Sequence, residues 1–142
     1  MDIIERIGSR AHRILKPLAN YRAIDEGGVG LANGLSETIV LHNNERVLGI
    51  YENPAHGQQK TVVVTTRGVH VVVGGNYQAL AYSQIDHVET PRSGEKHSFG
   101  ELVVTCRSGD NVIIPIEGGQ GRLRDAWEFL RFLNRVVADI HS

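Results

Sequence analysis

Residues 62–75 read VVVTTRGVHVVVGG, two valine runs separated only by Thr65, Thr66, Arg67 and Gly68. β-Branched side chains favour extended backbone, so the runs predict two strands, and the short polar break predicts the tight connection that makes them antiparallel neighbours. Arg67 and Gly68 are expected to supply that turn. A ligand loop would need several convergent polar groups, whereas this stretch offers two threonines, one arginine and His70 among dense valines. It therefore reads as a central hairpin of a β wall.

Further short strands flank the hairpin. RVLGIYE (residues 46–52) precedes it and is bounded by NPAHGQQ, while GGNYQ makes a turn and LAYSQI with DHVET follows as one bent strand or two short ones. After the polar loop PRSGEKHSFG, the segments ELVVTCR and NVIIPIE are joined by SGD as a second hairpin. About seven strands at spacings near ten residues predict a sandwich or barrel and exclude alternating βαβ units.

Helices are expected at the two ends. In the first twenty residues Ile3, Ile7, Ile14 and Leu18 fall on one side with Ile4, Ala11 and Leu15 beside them, and Arg6, Arg10, Arg13 and Lys16 fall on the other. Near the C-terminus Leu123, Trp127, Leu130, Leu133, Val137 and Ile140 advance by three or four residues, with Ala126 and Phe129 widening the stripe. This last helix is expected to plug an open barrel end with Trp127 and the leucines. Residues 25–35 (DEGGVGLANGL) form a Gly-rich connector, and SETIVLHNN suits a helical turn or a strand equally. The expected organisation is residues 1–35 as N-terminal amphipathic helix and linker, and residues 36–142 as the β domain with its C-terminal helix.

Composition bounds the function. The chain has 142 residues, 41% hydrophobic and 22% charged, the balance of a globular domain with its own core. Glu5, Arg6, Arg10, Arg13 and Lys16 interrupt each apolar run of the first helix, so no signal-peptide core is expected and the reading is cytoplasmic. The net charge of −1 combines +3 in residues 1–22 with −4 in the remainder. No face is basic enough for nucleic acid. Cys106 is the single cysteine, which excludes an internal disulfide.

No catalytic constellation is apparent. His12, His42, His56, His70, His87, His97 and His141 are scattered without the spacing of a zinc site, Cys106 has no evident base, and no nucleophile elbow occurs. His70 and His87 read as strand histidines, satisfied or facing outward. The expectation is therefore no enzyme, no metal and no cofactor. Two places could hold an anion or a partner. IEGGQGRLRD joins a strand to a helix start through glycines, with Arg122 and Arg124 beside the turn, and the loop from Pro91 to Phe99 carries Arg92, Lys96 and His97.

The segments Glu45 with RVLGIYENP, VVVTTRGVHVV, LAYSQIDHVETP with Tyr82 and Ile85, LVVTCRSGDNVIIPI and RDAWEFLRFL occur in an order that resembles the bacterial pleckstrin-homology-like and GRAM-related domains. The resemblance covers about 95 residues, from Glu45 to Ile140. It implies a mainly β fold with α, a PH-like barrel of about seven antiparallel strands closed by a C-terminal helix, and a domain that binds rather than catalyses. Phosphoinositide-binding members carry clustered cations in the first strand-to-strand loop, but here that loop, NPAHGQQK, has Lys60 as its one full charge, which argues against inositol phosphates. The leading expectation is a protein-binding adaptor, scaffold or neutralising partner, with self-association into a homo-oligomer included. The alternative is peripheral binding to anionic membrane lipid through Arg6, Arg10, Arg13 and Lys16.

Overall fold

The computed structural model describes residues 2–24, 33–54, 58–89, 101–117 and 124–141. Helix α1 (Ile3–Ile14) starts where the Asp2 carboxylate accepts the Glu5 amide at 2.8 Å, a side-chain N-cap. Ile7, Ala11 and Ile14 are buried on its inner face, and Leu15 and Leu18 continue that burial beyond it. The helix packs against α3 (Arg124–Ile140). Strand β1 (Tyr21–Ala23) then pairs antiparallel with β2 (Val47–Glu52). Between them lies α2 (Asn33–Thr38), so the first three residues of SETIVLHNN are helical.

Strands β3 (Lys60–Thr65), β4 (Gly68–Val73) and β5 (Asn76–Ala81) complete a five-stranded antiparallel sheet in sequence order from β1. A single 3₁₀ turn, Tyr82–Gln84, leads to β6 (Ile85–Val88), which joins β7 (Glu101–Cys106) and β8 (Asn111–Pro115) in a second, three-stranded sheet. The expected closed barrel is thus corrected to two separate sheets. No ladder joins them among the described residues. The 3₁₀ turn interrupts pairing on one side, and on the other a side chain takes the place of a ladder. Asn53 donates to the Pro115 carbonyl at 2.7 Å and the Lys60 carbonyl at 3.0 Å, and accepts the Glu117 amide at 2.6 Å.

The valine runs are continuous because the five-stranded sheet is covered on both faces. Val62, Val64, Val69 and Val71 point into the main core, shared with both sheets and with α1 and α3. Val63 and Val72 point the other way, into a second cluster with Val47, Ile50, Leu35 of α2 and Ile39. Burial on both faces abolishes the alternation of apolar and polar residues that a half-exposed strand shows.

Two glycines are required by close approach. A Cβ on Gly68 would stand 2.0 Å from the Leu80 carbonyl oxygen, and one on Gly49 would stand 2.1 Å from the Tyr21 hydroxyl. Gly68 is the first residue of β4, opposite Ala81, and the expected Arg67-Gly68 turn is instead made by Thr66 and Arg67. The Thr65 hydroxyl organises it, accepting the amides of Arg67 and Gly68 at 3.1 Å each.

Helix α3 is rotated from its expected orientation. Ala126, Phe129, Phe132, Leu133 and Val136 are fully buried, while Trp127, expected to plug the core, is 46% exposed. The aromatic packing accounts for the rotation: Phe129 meets Tyr51 edge-on at 5.4 Å, Phe132 meets Tyr82 at 6.1 Å, and the two phenylalanines meet each other at 6.4 Å. The Tyr51 hydroxyl also donates to Asp125 at 2.6 Å, fixing the start of α3 on β2. The two aromatic positions should therefore differ sharply in urea unfolding. Phe129→Ala is expected to cost about 3–5 kcal/mol and Trp127→Ala about 1 kcal/mol or less; comparable losses would refute this orientation of α3.

Candidate functional site

The polar residues of the first sheet gather at one end of its outer face, beyond the edge of the α2 cover. Glu45 precedes β2, Thr65 ends β3, His70 lies in β4 and Tyr77 in β5. Register brings them together, since His70 stands opposite Val63 on one side and Ala79 on the other. His70 Nε2 lies 2.7 Å from Glu45 Oε2, and His70 Nδ1 lies 2.7 Å from the Tyr77 hydroxyl. That hydroxyl accepts the Val40 amide at 3.1 Å. It is therefore free to donate its own proton to Nδ1, which leaves Nε2–H to donate to the carboxylate.

The opposite carboxylate oxygen, Glu45 Oε1, accepts the His42 amide at 3.0 Å, and the Thr65 hydroxyl bonds to Oε2. The Glu45 side chain is 1% exposed and that of His70 4%. Burial pushes the Glu45 carboxyl up, but hydrogen bonds from Thr65 and His42, with His70 adding to them, outweigh it and hold the group below its ordinary value. The network is closed on itself. No buried side-chain nitrogen or oxygen lacks a partner among the described residues.

Two clefts open on either side of this network. One of about 290 Å³ runs over His70, Arg67, Ala79 and Gln84. The other, about 470 Å³, lies between the start of α1, residues 42–45 and the β3–β4 turn, with Ile3, Ile4, Ile7 and Ile140 on its apolar side. His42, Glu45, Arg67 and Ser83 border both. Ile3 and Ile4 are each 40% exposed, although the other apolar residues of α1 are buried. Arg67 is exposed and forms no ion pair among the described residues. With Glu45 sheltered and satisfied, the accessible full charge of the larger cleft is that cation.

The candidates from sequence are placed unevenly. Arg10 makes a two-point contact with Asp139 of α3, at 3.0 and 3.2 Å, and Arg6 approaches the same carboxylate at 3.7 Å. The hydrogen bond from Arg10, with the charges of both arginines, holds the Asp139 carboxyl below its ordinary value despite the cost of burial. Arg13 and Lys16 are exposed, and Arg124 is exposed at the first residue of α3. Arg92, Lys96, His97 and Arg122 lie outside the described residues. Sequence reading left Glu45, Thr65 and Tyr77 unassigned, because only the strand register joins them to His70. His70 itself is the satisfied strand histidine anticipated. Among the described residues no three His, Cys, Asp or Glu side chains are grouped to hold a metal ion, and no helix is long and apolar enough to cross a membrane.

Both depressed carboxyls contribute stability that is present above their unfolded values near ~4 and is lost as pH falls through the lower folded values. Urea unfolding should therefore show stability falling from about pH 5 downward. Glu45→Gln should lose about 2–4 kcal/mol at pH 7, since an amide NH₂ would face donors, and its acid dependence should be shallower. An unchanged acid slope in this variant would refute the assignment.

No protein-family model matches the sequence, and no curated protein matches it. Among solved structures the chain is similar to a DUF1696 family protein with a pleckstrin-homology domain from Shewanella loihica PV-4. The TM-score is 0.50 at 15% sequence identity, covering 83% of this chain and 97% of that one. The fold is therefore PH-like.

Proposed function

We propose that the chain is a non-enzymatic PH-like interaction domain that binds a segment of a partner protein in the cleft between α1 and the β3–β4 turn. The observation that carries this reading is the pairing, in one cleft of about 470 Å³, of an apolar side with an exposed cation that forms no ion pair among the described residues. Ile3 and Ile4 remain 40% exposed there, and Arg67 stands at the opposite rim. Such a site suits an aliphatic side chain next to a carboxylate: the first displaces water from the isoleucines, and the second meets the guanidinium. The space between the strands and α3 is occupied by Phe129, Phe132 and Leu133, which favours recognition at the rim over a ligand held inside the fold.

The membrane alternative draws less support. Arg6 and Arg10 are both directed to Asp139, so two of the four cations in residues 1–16 are engaged within the molecule by one carboxylate. An anionic surface would be met chiefly by Arg13 and Lys16.

The test is a cross-linked pull-down from native lysate with the full chain beside an Ile4→Asp/Arg67→Glu variant, with anionic vesicle sedimentation in parallel. Both substituted side chains are exposed, so the variant should fold normally by circular dichroism. The expected result is a captured protein cross-linked to α1 or residues 42–45, reduced at least about tenfold in the variant, with little vesicle binding. Equal capture by both proteins would overturn the assignment of the cleft. Salt-sensitive sedimentation of the wild type with vesicles would replace protein binding by the membrane reading.

A further inference from the structure

The four sheet edges are not equivalent. Natural edges are blunted by shortness, charge, proline or a bulge, because a long flat edge presents unpaired amides and carbonyls to any passing strand. β1 has three residues and carries Arg22. β6 has four, carries Asp86, and is broken by a register shift between Ile85 and His87. β8 ends in Pro115, whose carbonyl is already taken by Asn53. β5 has none of these devices along residues 76–80; only the amide of its last residue, Ala81, is capped, by Gln84 Oε1 at 2.9 Å. It is six residues long, NYQALA, without charge or proline, and its register with β4 runs unbroken from Gly68 opposite Ala81 to Val73 opposite Asn76. Among the described residues its other side is bonded to no strand.

Two clefts adjoin this edge, and Gln78 borders both. One, about 470 Å³, is walled by Val71, Val73, Tyr77 and the 52% exposed Ile113, with the amides of Asn76, Gln78 and Asn111 at its border and no full charge in its lining. The other, about 330 Å³, reaches across to the β7–β8 hairpin and includes Val112, Arg107 and Asp110. Arg107 is engaged by His141 at 2.8 Å, whereas Asp110 has no cationic partner among the described residues. A strand added to β5 would project side chains i and i+2 to one face about 7 Å apart, one for each cleft.

We infer that the free edge of β5 is a strand-addition site for an extended segment of a partner protein that carries an aliphatic residue and, two positions away, a lysine or arginine. Main-chain bonds to β5 hold the segment, the aliphatic side chain fills the uncharged cleft, and the cation meets Asp110. A second copy of this chain fits less well. Its β5 would bring Asn76 and Gln78, not an aliphatic side chain, to the valines and Ile113 of the uncharged cleft, would bring no cation to Asp110, and would keep Leu80 in its own core, where it is 2% exposed. This surface is separate from the α1 cleft and does not depend on it.

Two capped pentapeptides test the site, threonine-valine-threonine-lysine-threonine and its reverse, which allow for either strand direction. Amide shifts and hydrogen exchange of the full chain are followed at millimolar peptide. The expected result is that one peptide shifts the amides of residues 76–80 and slows exchange at Tyr77 and Ala79, whose amides face away from β4. N-methylation of its backbone should abolish the effect, and Asp110→Asn should weaken binding about threefold at low salt but not at high salt. No response to either peptide, or equal binding of the N-methylated form, would overturn the inference. So would protection of these amides in the free protein that rises with its own concentration, since the edge would then belong to a second copy.

Discussion

A sheet with valines on both faces has to be covered twice, and most of this fold follows from that constraint. The inner face has the second sheet and α3 to meet, as a two-layer β structure provides. The outer face of Val63, Val72, Ile50 and Val47 would otherwise be exposed, and it is closed by Leu35 and Ile39 from the segment before β2. Burying each such side chain is worth on the order of 1.5–3 kcal/mol, enough to hold a six-residue helix that would not be stable alone. The N-terminal portion is thereby bound to the β core at three points: α1 on α3, β1 on β2, and α2 on the outer face.

The polar network lies where this second cover stops. A histidine on a face otherwise lined with valine and isoleucine needs partners for both ring nitrogens, and a carboxylate sheltered beside it needs donors for both oxygens. Glu45, Thr65, His70 and Tyr77 satisfy one another, with the Val40 and His42 amides completing the set. The same bonds fix residues 40–45 in place. The wall that separates the two clefts is therefore built from a satisfied network, which leaves Arg67 as the accessible charge above it.

The strands were legible in the sequence because β-branched runs alternate with turn signals, and the two central hairpins fall where the pattern puts them. Features that depend on contacts distant in sequence were not. The apolar arc of α3 is broad enough to admit more than one rotation, and Trp127 competes with Phe129 and Phe132 for the core. Tyr51 and Tyr82, from other strands, provide the packing that decides against it. Glu45 and His70 lie 25 residues apart and are joined only by the register of β2, β3 and β4. Closure of a barrel was likewise a matter of geometry at two corners, where a 3₁₀ turn and the side chain of Asn53 stand in place of ladders.

The charge asymmetry between the first 22 residues and the remainder acquires a structural meaning. A basic helix face read alone suggests an anionic surface outside the molecule, because arginines on a solvent-facing stripe have no other evident purpose. Here Arg6 and Arg10 converge on one carboxylate that is 10% exposed, and Asp139 sits near the end of the helix against which α1 packs. Several charges sharing one partner lose less side-chain freedom per contact than isolated surface pairs, and the two-point geometry of Arg10 sets the register of α1 on α3. That register places Ile3 and Ile4 at the rim of the larger cleft instead of under it. The basic residues of α1 thus position its apolar N-terminal turn.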